Sequence, residues 1–212
     1  MKSILLTILM TILGVDGHAQ EYFHVQKTQL IDAAGQPFII AGVNNPHAWL
    51  GEKAYQALDD IAATGANTLR IVWHTRGQAA ELERVIERCI ALKMIPMVGY
   101  YAREDVKTVL MRYERFLLIN IANEWGAHRV TTKHWQKSYE KAIALLREAG
   151  FKTTLVVDAP GWGQNILPIL KGGQQLIDCD PLHNILFSVH MYGSWNDSQK
   201  IINKLTEAKN KQ

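Results

Sequence analysis

The sequence predicts an α/β fold in which a parallel sheet winds into an incomplete (β/α)₈ barrel, and three observations predict it. Apolar runs of strand length alternate with stretches of helical periodicity from residue 38 to the end of the chain. The strand runs are apolar at nearly every position, as strands covered on both faces are. No glycine-rich phosphate fingerprint follows the first long strand, where the chain reads GVNNPHAWLGEK (42–53), so an open dinucleotide-binding sheet loses its main support.

The elements follow in order. FHVQKTQLIDAAGQP (23–37) alternates and turns at Ala33–Gln36, which predicts a short hairpin running into a buried strand, FIIAGVN (38–44). Helical spacing over 53–63 precedes the strand NTLRIVW (67–73), and a helix over 78–93 precedes the strand IPMVGYY (95–101). A helix over 104–115 leads into FLLINIANEW (116–125), and a long amphipathic helix from Thr132 to Ala149 leads into TTLVVDAP (153–160). A short helix near Asn165–Leu170, the strand ILFSVHMY (185–192) and a polar helix from Ser198 complete the pattern. That makes about six βα units, with strands seven and eight missing from a fold that typically needs about 250 residues. The first and sixth strands would then be unpaired edges that barrel closure normally removes.

Composition narrows the function classes. With 212 residues, 48% of them hydrophobic, the chain can bury one core, and disorder is excluded. The formal charge of +3 is spread along the chain without a basic run, so nucleic acid is not an expected partner. The start, MKSILLTILMTILGVDGHAQ, has Lys2, an apolar stretch from Ile4 to Leu13 and small residues at Gly17 and Ala19, which predicts a signal peptide over 1–19. The stretch is broken by Gly14 and Asp16, short of the roughly 20 apolar residues of a membrane span. Residues 20–212 are then one secreted or periplasmic domain with no membrane attachment, expected to be a monomer. Cys89 and Cys179 make no disulfide framework and are expected to be free, mostly buried thiols.

In parallel α/β folds chemistry gathers at the carboxyl ends of the strands. There the sequence places Asn44, Asn45, His47 and Trp49; Trp73 and His74; Asn123, Glu124 and Trp125; Asp158 and Trp162; and His190, Tyr192 and Trp195. Five of the six tryptophans lie at these ends, and only Trp135 sits on a helix. One tryptophan there is ordinary loop packing; five suit a ligand with apolar faces and hydroxyl edges, which describes a polysaccharide. A carboxyl at the mouth of an apolar strand is partly desolvated, which favours the protonated form that a general acid for glycosidic cleavage requires. Glu124 is that candidate, and Asn123 beside it is placed to bond a sugar 2-hydroxyl. Arg70, a guanidinium inside NTLRIVW, requires an acidic partner whether it forms a structural ion pair or orients a catalytic carboxylate. The histidines at 47, 74, 128, 134, 183 and 190 show no ligand spacing, so no metal is expected, nor any cofactor.

The segments GVNNPHAWL (42–50), TGANTLRIVW (64–73), LLINIANEWG (117–126), TLVVDAPGWGQN (154–165) and ILFSVHMYGSW (185–195) resemble, in order, the strand-end motifs of glycoside hydrolase family 5, most closely its bacterial endo-β-1,4-mannanases. The resemblance implies a (β/α)₈ barrel and retaining hydrolysis by two glutamates. It assigns Glu124 as acid/base, Asn123 as the adjoining sugar-binding residue, Arg70 as the arginine near the nucleophile, and His190 and Tyr192 as a pair at the cleft; His47, Trp162 and Trp195 are further candidate sugar contacts on the rim. The sequence departs from the family twice. IPMVGYYAREDVKTVL (95–110) lacks the His-Asp motif and loop that follow strand three, and no strand-seven nucleophile is present. The expectation is therefore a mannanase-like chain without turnover of its own. A β-1,4-glucanase and a non-catalytic carbohydrate-binding remnant are the alternatives, and Asp158 as base of an inverting mechanism is the remaining catalytic option.

Overall fold

The computed structural model of the chain describes residues 21–99 and 103–210; the leader read at 1–19 lies outside them. Strands β3 (Gly42–Asn45), β4 (Thr68–Ile71), β5 (Ile95–Gly99), β6 (Leu118–Asn120), β7 (Leu155–Asp158) and β8 (Ile185–Ser188) form one sheet in chain order, every pair parallel. A separate antiparallel hairpin, β1 (His24–Gln26) and β2 (Gln29–Ile31), precedes it. This is the incomplete barrel the sequence predicts, with β3 and β8 as its edges.

Two-residue alternation along each strand separates two cores. Leu69, Ile71, Val98, Ile119, Leu155, Val157 and Ile185 point outward into the main core, against helices. Met97, Leu118 and Val156 point inward and meet Phe23 and Leu30 of the hairpin, which plugs the end of the barrel where the strands begin. Asn184, just before β8, holds the plug: its Oδ1 accepts from the Val25 amide at 2.9 Å and its Nδ2 donates to the Phe23 carbonyl at 2.9 Å.

The helices bury the faces their periodicity sets out. Helix α4 (Ala79–Ala91) buries Leu82, Val85, Ile86 and Cys89, and burial pushes the Cys89 thiol up to about 12, which leaves it inert. Helix α6 (Thr132–Glu148) is capped by the Thr131 hydroxyl, which accepts from the His134 amide at 3.2 Å, and it buries Trp135, Tyr139, Ile143 and Leu146. In the last turn of α6, Arg147 forms a bidentate pair at 2.7 and 2.8 Å with Asp180, the residue that ends helix α7 (Leu167–Cys179). Burial opposes the Asp180 charge, but the Arg147 bonds outweigh it and hold the carboxyl below the ordinary range.

Several boundaries differ from the sequence pattern. The single helix expected over 53–63 is divided into α2 (Glu52–Gln56) and α3 (Leu58–Ala63), and a further short helix, α1 (His47–Leu50), precedes them. Helix α5 (Glu104–Arg112) is followed by a 3₁₀ turn over Glu114–Phe116. Helix α7, expected as a short piece near 165–170, runs from Leu167 to Cys179. It contains Gly172 and Gly173, poor helix formers, retained because the helix lies close to α6: a Cβ on Gly172 would fall 2.3 Å from the Gln136 amide. Cys179, expected to be mostly buried, is exposed at the end of α7; both cysteines are free. Helix α8 (Ser198–Lys209), capped by Asp197, buries no residue and leaves Ile202 and Leu205 exposed.

Candidate active site

The inward-facing positions change character along each strand. Leu118 gives way to Asn120, Val156 to Asp158, and Leu186 to Ser188 and then His190, while Arg70 takes the inward position on β4 between outward-facing Leu69 and Ile71. An apolar barrel floor thus ends in a polar layer at the carboxyl ends of the strands. Above it is an open cleft of about 670 Å³, lined by Arg70, Asn123, Glu124, His190 and Tyr192 at the top and by Met97, Val156 and Leu186 below.

Asp158 is the centre of this layer. It is fully buried, and its two oxygens accept four hydrogen bonds. Oδ2 receives Arg70 at 3.0 Å, the Glu124 amide at 2.9 Å and His190 Nε2 at 3.2 Å, while Oδ1 receives Asn120 Nδ2 at 3.0 Å. Burial alone would push its carboxyl up, but the bond from His190, the Arg70 charge and the Glu124 amide outweigh burial and hold it below the ordinary carboxylate value. Arg70 also donates to Asn120 and Asn123, each at 2.8 Å. The acidic partner that the sequence required for Arg70 is therefore Asp158. Fully buried, held by four donors and absent from the lining of the cleft, Asp158 does not present an oxygen to a water there, which removes it as an inverting base.

Glu124 is held from both sides. Its backbone lies in the left-handed region (φ 51°), a conformation uncommon for a residue with a side chain, and its amide is fixed on Asp158. Its Oε1 lies 2.7 Å from His190 Nδ1 and accepts from the Tyr192 hydroxyl at 3.0 Å. The loop carrying Gly163 packs directly on His190: its carbonyl accepts the His190 amide at 2.8 Å, and a Cβ there would fall 2.5 Å from the imidazole. His190 thus bridges two carboxyls, one at each ring nitrogen. The bond to Asp158, opposed by burial and reinforced by Glu124, raises its pKa above the ordinary histidine value. Protonated, the imidazolium donates at both nitrogens, to Asp158 and to Glu124.

The structure brings together Glu124, Asn123, Arg70, His190 and Tyr192 from the predicted set. Trp162, half exposed, stands beside them, its carbonyl accepting from Tyr192 at 3.2 Å. Two predicted contacts lie elsewhere. Trp195 is buried, with Nε1 on the Gln164 carbonyl at 3.0 Å and Lys200 over its ring, outside the main cleft. His47 is buried behind Trp73, with neither ring nitrogen hydrogen-bonded, because the chain enters α1 there and turns the side chain into the protein. Of the five strand-end tryptophans, Trp49 and Trp162 present large exposed faces, whereas Trp73 is buried like Trp195. Asn120 and the central place of Asp158 were not read from the sequence. The signal for Asn120 was a polar residue at inward parity in an apolar run. Among the described residues no group of three or more His, Cys, Asp or Glu is placed to hold a metal ion.

The position of His47 has a measurable consequence. Burial, with Arg84 adding to it, lowers its pKa from 6.5 to about 4. Above pH 6.5 the residue is neutral in folded and unfolded chains alike; as pH falls from 6.5 toward 4 the unfolded chain takes up a proton that the folded one refuses. Stability should fall across that window by up to roughly 3 kcal/mol. Urea midpoints at pH 7 and pH 4.5 measure it, and His47→Phe should flatten the dependence.

Comparison with known proteins matches this geometry to a family. The cellulase family, glycosyl hydrolase family 5, matches residues 101–212. A mannan endo-1,4-beta-mannosidase from Salipaludibacillus agaradhaerens is 39% identical over 191 residues, 80% of this chain and 62% of that protein. Another from Cellvibrio japonicus is 32% identical over 209 residues, 87% of this chain and 48% of its own. The chain therefore spans only 62% and 48% of the lengths of these two curated relatives. Among solved structures, the mannohexaose complex of the Thermomonospora fusca beta-mannanase is similar with a TM-score of 0.79 at 34% identity, covering 89% of this chain and 72% of that one.

Proposed function

The chain belongs to glycosyl hydrolase family 5, and from that premise we propose that its cleft recognises β-1,4-mannan, with Glu124 as the acid/base carboxyl of a retaining hydrolase lineage. The observation that carries the reading is the Glu124 carboxyl, exposed to the cleft and held by His190 and Tyr192 next to Asn123. In this reading Glu124 gives a proton to the glycosidic oxygen, and His190 and Tyr192 fix the carboxyl for the transfer. Asn123, oriented by Arg70, donates to the sugar beside the bond that breaks. Mannan rather than glucan is favoured by the names of the relatives and by mannohexaose in the solved complex. The apolar leader makes export part of the same proposal.

Retaining hydrolysis also needs a second carboxyl about 5–5.5 Å from the first. The other carboxyl in this network, Asp158, is buried and held by four donors, so it is a support for Glu124 and not that second group. Calorimetric titration of the whole chain with mannohexaose and with cellohexaose tests the substrate class. Saturable binding of mannohexaose that is lost in Asn123→Ala is the expected result, and preference for cellohexaose would overturn the mannan reading.

A further inference from the structure

Resting on the polysaccharide reading above, we propose that Asn120 is a positioning residue of the site: without reaching the sugar, it aligns Arg70, and through Arg70 the sugar-binding amide of Asn123. The residue ends β6 at inward parity, two places past Leu118, and is 2% exposed. It is absent from the lining of the main cleft, whereas Arg70 and Asn123 both belong to it. A buried amide among Leu118, Ile119 and Ile121 costs free energy unless its polar atoms are bonded, so its presence there calls for a task that an apolar residue could not perform.

Both polar atoms of that amide are bonded, and in one sense only. Oδ1 accepts from Arg70 Nη2 at 2.8 Å, while Nδ2 donates to Asp158 Oδ1 at 3.0 Å and to the Val156 carbonyl at 3.3 Å. Turned over, the amide would set its oxygen against a carboxylate and a carbonyl, and its hydrogens against a guanidinium, so the orientation is fixed.

That orientation sets the plane of Arg70. The Arg70 Nε is buried and has no hydrogen-bond partner, so the guanidinium is held through its two Nη groups alone. Nη2 is shared between Asn120 Oδ1 and Asp158 Oδ2, the latter at 3.0 Å, which aims Nη1 at Asn123 Oδ1, 2.8 Å away. With its oxygen engaged, Asn123 has its NH₂ to offer in the cleft, and the sugar hydroxyl it meets acts as acceptor. Without the Asn120 contact, Nη2 keeps Asp158 alone, the guanidinium is free to swing about that bond, and Asn123 loses its single orientation. The same change frees Asp158 Oδ1, on the carboxylate whose other oxygen fixes the Glu124 amide at 2.9 Å.

The test titrates mannohexaose calorimetrically into the whole chain and follows the Asn123 side-chain NH₂ signal by NMR. Asn120→Leu, similar in size and without polar atoms, should bind about tenfold more weakly than the parent and move the Asn123 signal. Asn120→Ser, too short to reach Arg70, should do the same, and it takes over if Asn120→Leu does not fold. Asn120→Asp keeps the shape and an acceptor for Arg70 and shares a proton with Asp158, so its affinity should stay within about threefold of the parent. Ile119→Val, which thins the outward face of the same strand, should change neither the affinity nor the Asn123 signal. Parent-like affinity or an unmoved Asn123 signal in folded Asn120→Leu or Asn120→Ser, an equal loss in Asn120→Asp, or an equal loss in Ile119→Val would overturn the positioning role and leave the main-cleft reading intact. A folded parent that does not bind mannohexaose would overturn the polysaccharide reading, and the role of Asn120 with it.

Discussion

Replacing Asp158 by alanine should destabilise the fold by about 3–5 kcal/mol, the cost of leaving buried charges without their counterion. The substitution strands the Arg70 guanidinium and the Asn120 amide, and it removes the anchor that holds the Glu124 backbone in its left-handed conformation. Asp158→Asn keeps the shape and removes the charge, so it separates electrostatics from packing. Two opposite signs meet in this network. His190, with a raised pKa, contributes stability that is present below pH 6.5 and lost as pH rises through its folded value. Asp158, with a lowered pKa, contributes stability present above pH 3.8 and lost as pH falls through its folded value. Both contributions coexist between those limits, and NMR titration of His190 in Asp158→Asn should show its pKa moving down. A change below about 1 kcal/mol in Asp158→Ala would mean that the network is not the fold's keystone.

The 212-residue chain should show no glycosidase turnover. Loss of one member of a catalytic pair forfeits on the order of a million-fold in rate, and within these 212 residues the carboxyl that joins Glu124 in the network, Asp158, is buried and engaged on both oxygens. The parent and Glu124→Gln should therefore be indistinguishable on galactomannan and on a dinitrophenyl mannoside, whose leaving group needs little protonation. Activity in the parent that disappears in Glu124→Gln would show that a second group supports Glu124, and would send the search beyond Asp158.

Much of the site was legible because its residues break a local pattern. Glu124 ends an apolar run, Arg70 interrupts another, and both must then find partners in a barrel whose strands all carry their chemistry at one end. Which partners they find depends on strand register, and that is set by packing across the sheet. The sequence offers Asp158 only as an alternative base; the pairing of β6 with β7 places it instead beneath Glu124, as the support of its backbone. The strand-end tryptophans show the limit from the other side. Position along the chain placed Trp73 and Trp195 on the rim, but the direction of each ring is decided by the loop that carries it, and both turn inward. Helix α7 outran its local signal because Gly172 and Gly173, weak in isolation, let it pack closely on Gln136 of α6 and Phe187 of β8.

The hairpin plug imposes an order of events on synthesis. Phe23 and Val25 are tied to Asn184, 161 and 159 residues away. At roughly 5–20 residues per second, translation reaches Asn184 about 8–30 s after the hairpin is made. Until then the anchor of the plug does not exist, and Met97, Leu118 and Val156 lack their cover as each strand joins the sheet. A hairpin made early is thus among the last elements to be secured, a long-range closure of the kind that slows folding. For that interval the nascent barrel exposes an apolar floor, which makes it a natural client for a holding chaperone.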